Sequence, residues 1–143
     1  MVLPLRITVM QPPRGVTFCL QQGKAELVPP SRISDKSLSF DLTVKVTEQR
    51  EEPPNFRGPF VQGPPAKRFV YINSGTLAGQ ADSCWSRRAK VFLAGITWEL
   101  IDRALAKPGT VLEARFTGTI CDGGPACATV PLLDNGWRVA TAK

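Results

Sequence analysis

Apolar and polar residues alternate with a period of two along much of this sequence, and that alternation limits the chain to a β-rich fold. The clearest run covers residues 38–47. Its apolar positions are Leu38, Phe40, Leu42, Val44 and Val46. Successive side chains of a strand point to opposite faces, so the run predicts a strand with one face in a core and one in water. Residues 3–10 and 16–21 repeat the pattern.

The remaining β-forming segments predict a sheet with several more strands. Residues 68–73 are apolar on both faces, which favours a central strand. Further strands are expected at residues 88–93, 111–120, 128–132 and 137–140. Asn135-Gly136 predicts a hairpin between the last two strands, because this pair accepts the positive φ of a type I′ turn.

One α-helix is predicted at about residues 97–107. Thr97 is suited to cap its first turn, and Pro108-Gly109 ends it. An apolar stripe of Trp98, Ile101 and Leu105 faces the core, with help from Ala104. Together with the strands, the helix predicts a mainly β, single-domain fold over residues 1–143. We expect an antiparallel β-sandwich or barrel of about seven or eight strands with one α-helix.

Composition excludes several classes of protein. The chain has 143 residues, of which 43% are hydrophobic and 21% charged, as in globular domains. No apolar run approaches the ~20 residues that cross a bilayer, so no membrane partner is predicted. The first residues lack a secretory signal pattern, which favours a cytoplasmic location. Histidine is absent, and we predict neither a metal site nor a cofactor.

Four cysteines are present, at positions 19, 84, 121 and 127. None belongs to a CxxC pair, so a zinc site is not expected. Four reduced thiols are the simplest interpretation for a chain that needs no disulfide framework. Cys121 and Cys127 flank a short turn, and a disulfide between them remains the alternative.

The positive charge is concentrated in one quarter of the chain. The net charge is +6, and residues 57–90 carry six basic side chains against Asp82 alone. Such a segment attracts a small anion or a nucleic-acid backbone. A solvated basic face that only aids solubility is the other interpretation.

A proline-rich loop covers residues 48–67, with prolines at positions 53, 54, 59, 64 and 65. Proline lacks the N–H that a sheet interior needs, so most of this segment lies outside a sheet. Long loops of this kind are often binding loops or lids. Phe56 and Phe60 suggest that the loop packs back on the body, where it serves either as a binding loop or as a structural cover.

The candidate ligand-binding residues come from residues 55–90, which include part of the proline-rich loop and the basic segment. They are Asn55, Gln62, Arg68, Tyr71, Gln80, Asp82, Trp85, Arg87 and Arg88. Arg87 and Arg88 occupy successive strand positions, so only one of them turns inward readily. Asp82 is the nearest carboxylate to such an arginine. The pair is then either a salt bridge that pins the loop or part of a ligand clamp.

Three functions compete. The first is binding of a small polar or anionic ligand between the proline-rich loop and residues 79–88. The second is a cofactor-independent enzyme, of the cyclase, isomerase or hydrolase type, with Asp82 as acid or base and Tyr71 as a donor. The third is nucleic-acid binding by the basic segment 57–90, which is disfavoured because stacked aromatic residues are not evident. No phosphate loop or nucleophile elbow is present, and the oligomeric state is not predicted.

Several longer motifs resemble a family of small bacterial proteins of unknown function. They are Pro54-Asn55-Phe56, residues 58–65 (GPFVQGPP), residues 68–72 (RFVYI), Gly79-Gln80, residues 85–88 (WSRR) with Lys90, residues 96–99 (ITWE), and residues 123–125 (GGP) with 127–130 (CATV). The likeness covers nearly the whole chain, except residues 28–37. It implies a free-standing cytoplasmic bacterial protein with no assigned activity, metal or cofactor, and it supplies no catalytic residue.

Overall fold

Ten strands, one α-helix and one short 3-10 helix make up the part of the chain that the computed structural model describes, which is residues 1–11, 16–22, 26–58, 69–76, 87–117 and 132–142. The strands are β1 (Val2–Met10), β2 (Val16–Gln22), β3 (Glu26–Val28), β4 (Arg32–Ile33), β5 (Ser37–Val46), β6 (Phe56–Arg57), β7 (Phe69–Thr76), β8 (Arg87–Phe92), β9 (Thr110–Thr117) and β10 (Leu132–Thr141). The helix is α1 (Trp98–Ala106), and Leu93–Gly95 form the 3-10 turn. The count exceeds the seven or eight expected because β3, β4 and β6 are too short to show a periodic pattern.

The strands form two sheets. The larger sheet has the order β10-β9-β1-β5-β4, and β6 pairs with β5 beside β4. The smaller sheet has the order β3-β2-β7-β8, so the predicted central strand is confirmed as β7. The described strands do not close into a barrel.

The larger sheet is mixed, and the prediction of a purely antiparallel sheet is therefore wrong. β1 pairs with β5 in antiparallel fashion but with β9 in parallel, where Leu5 lies opposite Leu112 and Ile7 opposite Ala114. A parallel pair needs a long crossover connection. Here the chain passes through the smaller sheet and α1 between β1 and β9. The alternation of apolar and polar residues within a strand does not reveal that path.

The alternating residues of β1 and β5 form the core, as predicted. Leu3, Leu5, Ile7 and Val9 of β1 are buried, and so are the five apolar positions of β5. Phe18 and Leu20 of β2 join the same hydrophobic cluster, as do Ile101 and Trp137. One core thus connects both sheets and the helix.

Helix α1 begins and ends where the sequence indicates. The Thr97 hydroxyl accepts a hydrogen bond of 3.2 Å from the Leu100 amide. Trp98, Ile101 and Ala104 are buried, whereas Leu105 is exposed and does not belong to the predicted stripe. The described residues contain no helix of the length and apolarity that a membrane span requires.

The Asn135-Gly136 pair does not form the predicted hairpin. Residues on both sides of it belong to β10 and pair with β9, and the register shifts between Asp134 and Trp137. Two residues are therefore inserted in one strand as a bulge, with Gly136 at φ +69°. A bulge and a hairpin turn use the same positive φ, so the dipeptide alone does not distinguish them.

The first half of the proline-rich loop is anchored on α1. The Arg50 guanidinium makes two hydrogen bonds to the Asp102 carboxylate, of 2.9 and 2.7 Å, and lies 4.7 Å from the centre of the Trp98 ring. The Trp98 indole N–H donates to the Glu51 carbonyl at 2.7 Å. Phe56 is buried, as predicted, whereas Phe60 lies outside the described residues.

The Arg50–Asp102 pair makes stability depend on pH. The hydrogen bond from Arg50 lowers the pKa of the Asp102 carboxyl below its ordinary value. A carboxyl with a lowered folded-state pKa adds stability above its unfolded pKa of about 4, and that stability is lost as pH falls through the folded value. We expect Asp102→Asn to lower the free energy of unfolding near neutral pH and to match the wild type in strong acid. The effect is small because the pair is exposed.

Urea unfolding across this pH range measures the difference between the two proteins. Asp35→Asn is the matched control, because Asp35 is exposed and makes no ion pair with the described residues. A constant difference at every pH would contradict the role of the ion pair.

Cys19 on β2 forms a disulfide, so the prediction of four reduced thiols is wrong for this residue. Its partner is one of Cys84, Cys121 and Cys127, all of which lie outside the described residues. The distance between two cysteines in space depends on the tertiary structure, and their spacing along the chain does not reveal it.

Candidate functional site

Polar side chains cover the face of the larger sheet that lies opposite the core, which we call the outer face. They occupy the positions of β1, β5, β9 and β10 that alternate with core residues. Register places them in two rows that run across the strands. The charged row is Asp41, Arg6, Glu113 and Arg138, and the hydroxyl row is Arg32, Ser39, Thr8 and Arg115.

Charge alternates in sign along the charged row. Arg6 lies between Asp41 and Glu113, and Glu113 lies between Arg6 and Arg138. Arg6 is only 7% exposed and Glu113 only 5%. A charge is buried at tolerable cost only when it is paired and hydrogen-bonded. Arg6 finds such partners in Asp41 and in two backbone carbonyls, and Glu113 finds them in Arg115 and Thr8.

Arg6 joins three strands through its guanidinium. Nε donates to the Asp41 carboxylate at 3.3 Å, Nη1 donates to the Thr141 carbonyl at 2.9 Å, and Nη2 donates to the Ala142 carbonyl. Arg32 also donates to the Ala142 carbonyl, through Nη2 at 2.8 Å. Two arginines from different strands thus hold one peptide oxygen at the end of β10.

Two residues of the hydroxyl row donate hydrogen bonds to the Glu113 carboxylate. Its Oε2 accepts a hydrogen bond of 2.9 Å from the Thr8 hydroxyl, and its Oε1 accepts one of 2.7 Å from Arg115 Nε. The carboxylate is therefore fully engaged. This arrangement holds Arg115 by one nitrogen and leaves Nη1 and Nη2 without a partner among the described residues.

Ser39 is the unusual member of the hydroxyl row. The residue is 6% exposed, but its Oγ atom is not one of the fully buried side-chain atoms, and it makes no hydrogen bond with any described residue. Arg32 keeps Nη1 without a partner in the same part of the structure. The Ser39 hydroxyl, which lies in register between Arg32 and Thr8, is therefore available to donate to or accept from a ligand group.

Two grooves run along the outer face and share Arg6 and Arg32. One has a volume of about 340 Å³, contains the hydroxyl row, and includes Met10 and Ile33 in its lining. The other, of about 420 Å³, includes Pro4 and Val111 in its lining and is bounded by Ala142. The outer face therefore combines guanidinium donors, an unpartnered hydroxyl and apolar surface.

Most of the site predicted from the sequence lies outside the described residues, namely Gln62, Arg68, Gln80, Asp82 and Trp85. Tyr71 lies on β7 opposite Lys90 of β8. Arg87 and Arg88 begin β8, opposite Ser74 and Asn73. The predicted assembly of these residues into one site stays a prediction. Within the described ranges, no three cysteine, aspartate or glutamate side chains lie close enough to hold a metal ion.

Asn55 is the member of that set whose side chain the structure describes. Its carbonyl accepts a hydrogen bond of 3.1 Å from the Thr47 amide. Its Oδ1 atom is buried without a partner, as is the Thr47 hydroxyl. A ligand group that donates a hydrogen bond would satisfy the Asn55 Oδ1 atom.

Sequence reasoning missed the outer face because its residues come from distant strands. Arg6 and Thr8 were expected on the water-facing side of β1, and they do lie opposite the core, but their neighbours bury them. The available signal was a charged residue in the middle of an otherwise apolar strand, as at Arg6 and Glu113. That signal identifies each residue alone and does not show which ones meet.

Comparison with known proteins identifies a family but no activity. The sequence profile of a family of unknown function (DUF5990) matches residues 3–140. Neither the curated proteins nor the solved structures include a match to this chain. The match confirms the expected resemblance to a family of unknown function. The chain therefore belongs to DUF5990, a family of unknown function.

Proposed function

We propose that this protein binds a small oxyanion with an apolar group in the groove that contains the hydroxyl row. The observation that carries the proposal is the Ser39 hydroxyl, which lines this groove beside guanidinium donors and has no partner among the described residues. It lies in register between Arg32 and Thr8, and Thr8 lies beside Arg115. An oxyanion in the groove accepts from the hydroxyl and from guanidinium nitrogens on both sides.

The charges of the outer face favour an anion. Four arginines face two carboxylates in the two rows, and both carboxylates are already engaged, Asp41 by Arg6 and Glu113 by Thr8 and Arg115. The donors that remain belong to Arg32 and Arg115. Guanidinium groups bind carboxylate and phosphate oxygens with short, charge-assisted hydrogen bonds.

The ligand also carries an apolar part. Ile33 is 76% exposed and lines the groove together with Met10. Large apolar side chains beside convergent polar groups are typical of small-molecule sites. Burial of such surface adds roughly 25 cal/mol per Å², so an apolar substituent on the anion strengthens binding.

The general class of ligand, small and anionic, agrees with the first function expected from the sequence, but the proposed place differs. A site between the proline-rich loop and residues 79–88 remains a proposal that only the Asn55 Oδ1 atom supports. The enzymatic alternative rests on Asp82, outside the described residues, and stays a prediction.

Titration calorimetry with four probes tests the proposal: inorganic phosphate, phenyl phosphate, acetate and benzoate. We expect phenyl phosphate to bind more tightly than phosphate, and benzoate more tightly than acetate. Ser39→Ala and Arg32→Ala should each weaken binding about tenfold, as expected for a lost hydrogen bond to a charged group. Ser39→Ala should leave stability within about 0.5 kcal/mol, because the hydroxyl has no partner to lose.

Arg103→Ala is the matched control, since it removes one exposed positive charge on α1, away from the groove. If Arg103→Ala weakens binding as much as Arg32→Ala does, the interaction is general charge attraction and the proposal fails. Single-stranded DNA provides a further arm. Tight DNA binding that falls steeply with salt and ignores Ser39→Ala would favour the nucleic-acid alternative instead.

A further inference from the structure

The carbonyls at the end of β10 contact arginines from two other strands of the larger sheet. β10 and β4 are the ends of a five-strand path, and a flat ladder would hold them about 19 Å apart. Yet Arg32 of β4 donates to the Ala142 carbonyl at 2.8 Å. The sheet is therefore curved, as twisted sheets are, and Arg6 of β1 contacts the carbonyls of residues 141 and 142. We call Thr141–Ala142 the strap.

The strap is held at two places. The Ala142 amide donates to the Gly109 carbonyl at 2.8 Å, one residue beyond the last ladder pair, Thr110 with Thr141. Its carbonyl is held by the guanidinium groups of Arg6 and Arg32. Only the second attachment uses guanidinium donors, which an anion would also bind.

The strap limits what Arg32 offers to a ligand. A guanidinium grips an oxyanion best through two parallel N–H donors. Arg32 Nη2 is taken by the Ala142 carbonyl, which leaves Nη1 for the groove. Arg6 is held entirely by Asp41 and the two strap carbonyls. Hydrogen bonds between two ionised groups are stronger than those from a guanidinium to a neutral carbonyl, so an oxyanion competes well for these nitrogens.

We propose that the strap competes with a bound oxyanion for Arg6 and Arg32. Its carbonyls occupy these two guanidinium groups until an oxyanion displaces them. This inference rests on the proposed function. In the bound state the oxyanion takes Arg32 with two donors, and the Ala142 carbonyl leaves the arginine pair. The two events are thermodynamically linked, so loosening the strap raises ligand affinity by the same factor that the ligand loosens the strap.

Two measurements test the strap. Ala142→Pro removes the amide that bonds to Gly109 while keeping both carbonyls and both arginines. We expect it to raise the affinity for phenyl phosphate about fivefold, the factor that one hydrogen bond provides. Ala142→Ser keeps the amide and should bind like the wild type. In the wild-type protein, phenyl phosphate should speed hydrogen exchange of the Ala142 amide and leave that of Val139, within β10, unchanged.

The outcomes separate the strap from the proposed site. If Ser39→Ala weakens phenyl phosphate binding but Ala142→Pro leaves it unchanged, the site stands and the strap proposal is overturned. Slower exchange of the Ala142 amide with phenyl phosphate also overturns it, because the anion would then clamp the strap. If no variant binds any of the probes, the proposed function fails and the strap proposal fails with it.

Discussion

Phe40→Ala should lower the free energy of unfolding by about 3–5 kcal/mol. Phe40 is fully buried at the centre of β5, opposite Ile7 of β1, and belongs to the cluster that joins both sheets. Removing the ring loses its transfer free energy and leaves a cavity at the junction of the two sheets. Domains of this size are stable by only about 5–15 kcal/mol, so the loss is a large fraction of the total.

Urea unfolding at constant pH measures this effect, and a fall in melting temperature of roughly 10 °C should accompany it. Lys45→Ala is the control on the same strand, since Lys45 is exposed and should change stability by less than about 0.5 kcal/mol. If Phe40→Ala does not fold, Phe40→Leu should still fold with a smaller loss. A loss below about 1 kcal/mol for Phe40→Ala would show that β5 does not carry the core.

Cys19→Ser should destabilise the protein by about 4 kcal/mol. Cys19 is disulfide-bonded, and the nearest cysteine in sequence is 65 positions away. A crosslink that closes so long a loop removes many conformations from the unfolded chain, which is the source of the stabilisation in the chain-entropy account.

Denaturation with and without a reducing agent tests this result. The reductant should destabilise the wild-type protein by about as much as the substitution does, and should affect Cys19→Ser much less. Peptide mapping without reduction identifies which of Cys84, Cys121 and Cys127 is the partner. A wild-type protein that is alkylated at Cys19 without prior reduction, and that is indifferent to the reductant, would show that the thiol is free.

Local sequence signals were sufficient to predict several elements of secondary structure. The cap at Thr97 and the stop at Pro108-Gly109 place α1 correctly, since a helix end depends on residues within one turn of it. Alternation identifies β1, β2 and β5 and assigns their core faces. Trp98 is buried as the apolar stripe of α1 predicts.

Local chemistry was not sufficient where two distant segments meet. Asn135-Gly136 allows a positive φ, but only the pairing of both flanks with β9 makes it a bulge. The parallel pairing of β1 with β9 depends on the path of the whole chain between them. The candidate site shows the same limit, because the charge count favoured residues 57–90 and overlooked the outer face.

Side-chain periodicity and neighbours a few positions apart were enough to predict which residues of β1 and β5 face the core, where the helix lies, and that the protein is mainly β. The tertiary structure alone decided that Arg32, Ser39, Thr8 and Arg115 form one row, and that Ala142 reaches Arg6 and Arg32. Strand register and strand order join residues up to 136 positions apart. They are set by the packing of the whole core, and no local pattern contains them.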